Sequence, residues 1–308
     1  MHTETTASKQ PLAPSEWRAR IAAHERRVSA WVESRILRTS RGQKHPVYDF
    51  LFTYYSHRPS LLRRWSPGIG VVLEGEGTER FLRRREFTRI AEGVTLDSAT
   101  VDPPRLEAVD WIARLLKACR DRPARLGCYG LHEWAMVYEA DEVRHDSYPL
   151  RFSRRELGAI LRAHTVCCSH YDAYRFFTPA ARSLNQLRPR KETRTQFEQK
   201  GCLHTNMDLY KWSYKLAPWT PSELVADAFE LACRIREADM RASPYDLRSL
   251  GFEPIKIETP DGKREYDALQ RKFSRQADPI RERLLEVCLQ MLREAGHGPF
   301  LPPGRCRP

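Results

Sequence analysis

The chain has no run of apolar residues approaching the roughly 20 that a membrane-spanning helix needs. Its first residues, MHTETTASKQPLAPSEW, have no apolar stretch after the first charges, so they do not resemble a secretory signal. The 8 cysteines include no CxxC pair, and Cys167 and Cys168 are adjacent. This spacing suits neither a zinc knuckle nor a disulfide framework. We therefore expect reduced thiols and a cytoplasmic protein.

Several catalytic signatures are also missing. The sequence has no P-loop, no GxGxxG after a strand and no GxSxG. His132 and Glu133 could begin an HExxH motif, but residue 136 is Met. These absences argue against nucleoside-triphosphate hydrolysis, Rossmann-type dinucleotide binding, α/β-hydrolase chemistry and HExxH zinc proteases.

Positive charge is abundant. Lys and Arg number 52 against 40 Asp and Glu, which gives a formal net charge of +12 and a pI of about 9.5. Such a surplus favours a polyanionic partner, and double-stranded DNA is the first candidate. A membrane surface is a weaker candidate, because no basic amphipathic helix with an apolar face is evident. The alternative is a genomic preference for Arg without a functional partner.

The hydrophobic pattern predicts an α+β protein that is predominantly helical, with a few short strands, in a single compact domain. We expect a disordered leader over 1–14, the domain over 15–295 and a coil tail over 296–308. The spacing of apolar residues and the caps predict six helices. They cover about 16–37, 47–56, 103–123, 154–164, 202–216 and 263–294, and a seventh follows Pro221 and Ser222. Ser153 and Glu156 form a capping box before the fourth of these.

Three segments favour strands. The first is Val71–Leu73, which lies between glycines. The alternation in TVCCSHYDAYRFF predicts a buried strand there, and PIKIETPDG predicts a strand and turn before the last helix. Residues 128–152 are ambiguous between helix and strand.

Polar residues of catalytic type occur inside aromatic segments, of which GCLHTNMDLYKW is the strongest. On a helix, His204 and Asp208 stand one turn apart and share a face, so they can share a proton, bind a metal or orient a water. Asn206 adds a donor and an acceptor, and Tyr210 and Trp212 offer surfaces for stacking. In the alternative, this is a helix start whose polar groups satisfy local amides and whose aromatics fill the core.

Three more segments carry such residues. In HPVYDFLFTYYSHRP, His45 and Asp49 repeat the spacing of four residues, and the alternative is that His45 only caps the helix. His170 and Asp172 point to the same face of a strand, which favours a His–Asp pair, although a buried hydrogen-bonded histidine is the alternative. His132 and Glu133 are adjacent and diverge, so His132 alone is kept as a candidate. Six basic residues in two segments are candidates for phosphate contacts or, alternatively, a solvated face. They are Arg58, Arg63, Arg64, Arg188, Arg190 and Lys191, with Arg194 in the same loop as the last three.

The chain resembles a bacterial family usually labelled 3-methyladenine DNA glycosylase. The resemblance is carried by HPVYDFLFTYYSHRPSLLRRWSPGIGVVLEG, HEWAMVY, HYDAYRFFTPAAR and GCLHTNMDLYKWSYKLAPW, followed by SELVADAFELACRIREADMRASPYDL. It covers roughly residues 45–270. It implies a hydrolase that cleaves the N-glycosidic bond of a modified base flipped out of DNA, in repair or in defence against modified foreign DNA. The helix–hairpin–helix with its downstream Asp is absent, so the base excised stays open.

The resemblance assigns roles to the candidates. Asp208 would stabilise the cationic sugar, so that Asp208→Asn should slow base release while preserving the fold. His204 or His170, the latter paired with Asp172, would contact the departing base. Further base contacts are expected from Tyr210, Trp212, Tyr171, Asn206 and His132. No cofactor, metal or protein partner is expected.

Two other classes stay open. The first is a metal-dependent enzyme of the non-haem iron type, in which His132, His170, His204 and Asp208 supply two imidazoles and a carboxylate. The second is a basic DNA-binding protein without catalysis, in which substitutions at these sites would leave function intact.

Overall fold

The structure is a computed structural model that describes residues 9–141, 143 and 147–298. Twelve α-helices and four strands are present in this part of the chain. The helices are α1 Pro14–Ser40, α2 Phe50–Thr53, α3 Pro59–Arg63, α4 Pro103–Asp121, α5 Leu131–Ala135, α6 Arg154–Arg162, α7 Tyr171–Tyr174, α8 Pro179–Arg182, α9 Arg194–Phe197, α10 Leu203–Lys215, α11 Ser222–Arg241 and α12 Pro260–Glu294. The strands are β1 Gln10–Leu12, β2 Val71–Leu73, β3 Phe87–Ile90 and β4 Gly93–Leu96.

Four long helices form the centre of the fold. Helix α10 packs against both α11 and α12, and α12 also packs against α4 and α11. Ten of the thirteen residues of α10 are buried, polar ones included. A helix buried on all sides needs a partner for each polar side chain it carries, because an unpaired polar group in the interior costs about 1–3 kcal/mol. This helix therefore organises the candidate site.

A small sheet lies at one side of the helices, in the strand order β1-β2-β4-β3. Strand β1 pairs parallel to β2, with Gln10 opposite Val71 and Leu12 opposite Leu73. Strand β4 pairs antiparallel to β2 and to β3. The predominantly helical α+β fold predicted from the sequence is confirmed. Among the described residues, no helix is both long enough and apolar enough to cross a membrane.

Several predicted elements are confirmed. The capping box forms as expected, with the Ser153 hydroxyl accepting from the Glu156 amide and the Glu156 carboxylate accepting from the Ser153 amide. Helices α4, α10 and α11 and strand β2 also match their predicted positions closely.

The predicted leader and first helix are shifted. Residues Gln10–Leu12 form a strand rather than part of a loose leader, and α1 begins at Pro14, one residue before the predicted cap Ser15. Residues 1–8 and 299–308 lie outside the described part of the chain. The last helix begins at Pro260, where the Thr259 hydroxyl accepts from the Gly262 amide. The predicted strand before it is irregular chain.

Two predictions of secondary structure are wrong. The segment 47–56 contains only the short helix α2, and the chain turns at Ser56, whose φ is 54°. The predicted strand over TVCCSHYDAYRFF is a loop followed by α7. The Asn185 side chain explains the second case. It accepts from the amide of Cys168 at 2.7 Å and donates to its carbonyl at 3.0 Å, in place of a neighbouring strand.

Candidate functional site

Asp208, in the middle of α10, is the centre of a buried polar cluster. Its carboxylate is 1% exposed. Oδ1 accepts a hydrogen bond from the Tyr55 hydroxyl at 2.9 Å, and Oδ2 accepts from Nη2 of Arg194 at 2.9 Å. Nε2 of His170 lies 3.3 Å from Oδ2. Both oxygens are thus occupied by protein donors.

Arg194 ties together three acidic side chains. Besides Asp208, its guanidinium contacts Oε1 of Glu198 at 2.5 Å and Oδ2 of Asp172 at 3.2 Å. Trp111 and Trp212 flank the guanidinium, with ring centroids 5.6 and 5.2 Å from its carbon. The planar fork of Arg suits such simultaneous pairing and stacking. We call Asp172, Arg194, Glu198, Asp208 and Lys211 the Arg194 cluster.

The cluster holds two of its carboxylates ionised. Burial opposes ionisation of Asp208, but the charge of Lys211 and the hydrogen bond from His170 outweigh it, so the pKa of Asp208 lies well below its usual value. The pKa of Asp172 is lowered in the same way, against burial, chiefly by Lys211. For Glu198 the balance is reversed, because burial raises its pKa despite the nearby charges of His170 and Arg194.

Asp172 is the more exposed of the two ionised carboxylates in the cluster. Its side chain is 11% exposed, against 1% for Asp208. Oδ2 is occupied, because it accepts from Lys211 at 2.8 Å and from Arg194. Oδ1 lies 3.4 Å from Nε of Arg175, whose side chain is 45% exposed. The ion-pair partner of Oδ1 is therefore a partly exposed side chain, in contrast to the buried Arg194 at Oδ2.

A groove of about 880 Å³ adjoins the cluster beside Arg175. Phe50 and Tyr54 stack in parallel on its wall, with ring centroids 4.8 Å apart, and Phe176 lies 6.5 Å from Tyr54. Cationic residues of the groove are Arg35, Lys44 and Arg175. We call this the aromatic groove.

Tyr54 connects the aromatic groove electrostatically with the Arg194 cluster. Its pKa is raised by burial first and then by the negative charges of Asp208 and Asp172. Tyr54 therefore stays protonated near neutral pH and can donate a hydrogen bond. The groove thus combines stacking surfaces, cations and a hydroxyl donor beside two ionised carboxylates.

A second buried cluster lies on the other side of His170. The ring of His204 stacks on that of His170 at 5.3 Å and meets the ring of His132 edge-on at 4.3 Å. Nε2 of His132 lies 2.9 Å from Oδ1 of Asp239, and Oδ2 of Asp239 accepts from Nη1 of Arg236 at 3.0 Å. Arg236 also donates to Glu133 at 2.7 Å.

A partly open cavity of about 80 Å³ adjoins this second cluster. His132 and His204 line it, together with four cysteines, Cys128, Cys167, Cys168 and Cys202. Burial raises the pKa of all four thiols, so they stay protonated near neutral pH. The pKa of His204 is lowered well below its usual value by burial and by the charge of His132.

The structure brings together most of the histidines and carboxylates predicted from the sequence. His170, Asp172, Asp208, His204 and His132 form a continuous buried array. The partner of Asp208 is His170, however, and not the predicted His204. The predicted pair of His170 with Asp172 is not formed either, since Asp172 binds cations.

The predicted base-contacting residues are largely enclosed. Tyr210 is fully buried, and its hydroxyl lies 2.7 Å from Nδ1 of His57. Trp212 packs edge-on to Trp111 at 5.4 Å, beneath the cations of the Arg194 cluster. Asn206 donates to the Lys200 carbonyl and accepts from a buried arginine, Arg281, on α12. These three residues are core in this structure, and Tyr171 is half-buried.

The predicted phosphate-binding residues differ in their surroundings. Arg58, Arg64, Arg188, Arg190 and Lys191 are exposed, and Arg63 pairs with Glu33 at 3.1 Å. A groove of about 520 Å³ gathers five arginines, and we call it the arginine groove. Its arginines are Arg63, Arg64, Arg80, Arg83 and Arg84. The suggested phosphate contact at Arg194 is wrong, because its side chain is 6% exposed and fully engaged.

No protein-family model, curated protein or solved structure gave a significant match to the chain. The resemblance to DNA glycosylases therefore stays a prediction.

Sequence reasoning missed several members of the two clusters. Arg194 lies in RPRKETRTQFEQK, whose charge density predicts an exposed loop. Its spacing of four residues from Glu198 was the available signal, since such pairs meet on a helix. Asp239 and Arg236 are three apart on α11, but nothing local showed that they face α5. Tyr54, Tyr55 and Lys211 were among the aromatic segments without a distinguishing pattern.

Proposed function

We propose that this protein is a DNA glycosylase that hydrolyses the N-glycosidic bond of a modified base, with the flipped nucleotide held in the aromatic groove. One observation carries the proposal: a groove with stacked aromatic walls and a cationic rim adjoins two ionised carboxylates. Its volume of about 880 Å³ is adequate for a nucleotide, since small-molecule sites typically measure about 300–1,000 Å³.

Base flipping accounts for the composition of the groove. An extruded base loses its stacking in the duplex and needs an aromatic surface in exchange, which Phe50 and Tyr54 offer. The phosphates on either side of an extruded nucleotide need cations, and Lys44 and Arg175 supply them, whereas Arg35 already pairs with Asp49 at 2.8 Å. The arginine groove offers further cations for the flanking duplex.

The proposal assigns the reacting carboxylate to Asp172 rather than to Asp208. Bond cleavage makes the sugar cationic, so an ionised carboxylate beside it lowers the barrier. Oδ1 of Asp172 becomes accessible when Arg175 turns away. Water adds to C1′, its proton passes to Asp172, and the electron pair of the glycosidic bond leaves with the base. Tyr54 donates a hydrogen bond to the departing base.

Asp208 is then a positioning residue. It holds Arg194 in place, and Lys211 lies 3.7 Å from its Oδ2. Those two cations in turn fix Oδ2 of Asp172 and leave Oδ1 toward the groove. Burial of Asp208 behind Asp172 is consistent with this order.

The test is single-turnover incubation with duplexes that carry different modified bases, scoring free base and abasic sites. We expect release from at least one duplex, and Asp172→Asn should slow it about 10²–10⁴-fold, equivalent to roughly 3–5 kcal/mol. Asp227→Asn is the matched control. It also removes a carboxylate that pairs with arginines, but Asp227 lies on α11 and its side chain is 31% exposed. Absence of release from every duplex, or equal rates in Asp172→Asn and the wild type, would refute the proposal.

A further inference from the structure

Three side chains from three separate helices converge beside the cavity of about 80 Å³. His132 comes from α5, His204 from α10 and Asp239 from α11. Each offers one nitrogen or oxygen atom, and these atoms all lie within 4.8 Å of one another. All three residues are buried. The proposed glycosylase reaction uses none of them.

We propose that His132, His204 and Asp239 bind one divalent transition-metal ion. Two imidazoles and one carboxylate form a ligand set typical of iron(II) and zinc sites that keep an open coordination position. Because a metal binds such ligands at about 2.0–2.2 Å, neighbouring ligand atoms should be about 3.3–3.6 Å apart at tetrahedral angles and about 2.8–3.1 Å apart at octahedral angles. The 2.9 Å between Nε2 of His132 and Oδ1 of Asp239 is close to the octahedral spacing.

Unsatisfied atoms at the centre of the cluster support an ion there. Nε2 of His132 and Oδ1 of Asp239 are close, but the contact lacks hydrogen-bond geometry, and neither atom has another hydrogen-bond partner among the described residues. Buried polar atoms are almost always satisfied, so two atoms that depend on one poorly aligned contact are unusual. A shared cation satisfies both atoms at once.

The surroundings of Asp239 resemble the outer shell of a metal site. Arg236 donates to Oδ2, which leaves Oδ1 directed at His132. Arg236 is itself held by Glu133 at 2.7 Å and lies 4.0 Å from the ring centroid of Phe50. Such contacts fix the orientation of a ligating carboxylate before the ion arrives.

The cavity supplies the open position. His132 and His204 both line it, and its volume of about 80 Å³ leaves room for water, since one water needs only about 10–15 Å³ by this measure. Among the described residues no cysteine sulfur joins the cluster formed by the ligand atoms of His132, His204 and Asp239, so the ligand set is nitrogen and oxygen without sulfur. We therefore expect an ion that carries water on the side of the cavity.

The Arg194 cluster provides an internal contrast. His170, Glu198 and Asp208 also place their ligand atoms within 4.8 Å of one another. There, however, the guanidinium of Arg194 already lies 2.5 Å from Glu198 and 2.9 Å from Asp208. A cation site filled by a side chain has no room for a second cation, so one ion per chain is expected.

The experiment measures metal binding directly. Chelator-stripped full-length protein is titrated with zinc, with cobalt(II) as an optical probe, and with iron(II) under anaerobic conditions. We expect one equivalent to bind. His204→Gln should weaken binding at least about 10-fold, with His132→Gln as a second variant in case the first fails to fold. His164→Gln is the matched control. The ring of His164 is half-buried and makes a hydrogen bond with the Ile160 carbonyl, outside the cluster of His132, His204 and Asp239.

The outcomes separate this inference from the glycosylase proposal. Binding that is unchanged in His204→Gln and His132→Gln, or no uptake of any of the three ions, overturns the metal site whatever the base-release assay gives. Asp208→Asn should keep its metal, and loss of metal there would place the ion in the Arg194 cluster instead. Metal binding without base release would leave the metal site standing and refute only the glycosylase.

Discussion

The guanidinium of Arg194 donates to the carboxylate of Asp208 across 2.9 Å, and both side chains are almost fully buried. Removing one charge of a buried pair leaves the other poorly compensated, at a cost of about 3–5 kcal/mol. Asn keeps an acceptor oxygen, and Arg194 keeps Asp172 and Glu198 as partners. We therefore expect Asp208→Asn to lower the free energy of unfolding by about 2–4 kcal/mol.

Urea unfolding measures this loss. In Asp227→Asn the partners Arg27 and Arg283 are partly exposed, so the loss should be at most about 1 kcal/mol. If both variants lost the same free energy of unfolding, the buried ion pairs of the Arg194 cluster would contribute no more to stability than the partly exposed pairs of Asp227.

Tyr54 should be the main stacking contact in the aromatic groove. Stacking of a base on an aromatic side chain contributes about 1–3 kcal/mol, so Tyr54→Ala should weaken binding of a modified duplex by about 5- to 150-fold. Tyr54→Phe keeps the ring and should retain most of the affinity. Binding to an unmodified duplex, in which no base enters the groove, should change little in either variant. If both variants bind the modified duplex as the wild type does, the base lies elsewhere.

DNA binding should depend strongly on salt, because the arginine groove offers cations to phosphates. With about five phosphates contacted, log affinity should fall against log salt with a slope of roughly −4 to −5. Charge reversal in Arg64→Glu combined with Arg83→Glu should make the slope shallower by about 2. Arg271→Glu, on the exposed side of α12, is the control and should leave the slope unchanged. A slope near zero for the wild type would exclude this electrostatic mode.

His57 should make the protein sensitive to acid. Burial lowers the pKa of His57 from 6.5 to about 4. The unfolded chain therefore binds this proton more readily, so the contribution of His57 to stability is complete above pH 6.5 and is lost as pH falls toward 4. The loss is about 3 kcal/mol. Unfolding midpoints across this range should fall less steeply in His57→Gln, and identical slopes would contradict the assignment.

Local signals in the sequence predicted the secondary structure around the site but not the side-chain contacts that determine its chemistry. Helix α10 follows from the apolar spacing of GCLHTNMDLYKW, and the cap at Ser153 from a known pairing of side chain and backbone. The pairing of Asp208 with Arg194 depends on the short helix α9, whose composition is typical of a solvent-exposed loop. From the sequence, Asp208→Asn appeared harmless to the fold. Its buried partner reverses that expectation.

Hydrogen bonds between side chains and the backbone explain the other differences. The segment around Cys168 alternates like a strand, yet Asn185 supplies the backbone partners that a strand would need. The amides of Val47 and Tyr48 donate to the ring of His45, so the chain bends where continuous apolar residues suggested a helix. In both cases a side chain outside the predicted element binds its backbone, and the spacing of apolar residues carries no information about that contact.

Trp212 lies under the charged groups of the Arg194 cluster, with Nζ of Lys211 4.6 Å and the guanidinium carbon of Arg194 5.2 Å from its ring centroid. The emission of an indole responds to nearby charge, so this ring serves as a built-in optical reporter. The chain has 7 tryptophans in total. Subtracting the spectrum of Trp212→Phe isolates the emission of Trp212 from that of the others. A nucleotide that draws Lys211 away would change the emission, so stopped-flow mixing can time its arrival separately from the breaking of any bond.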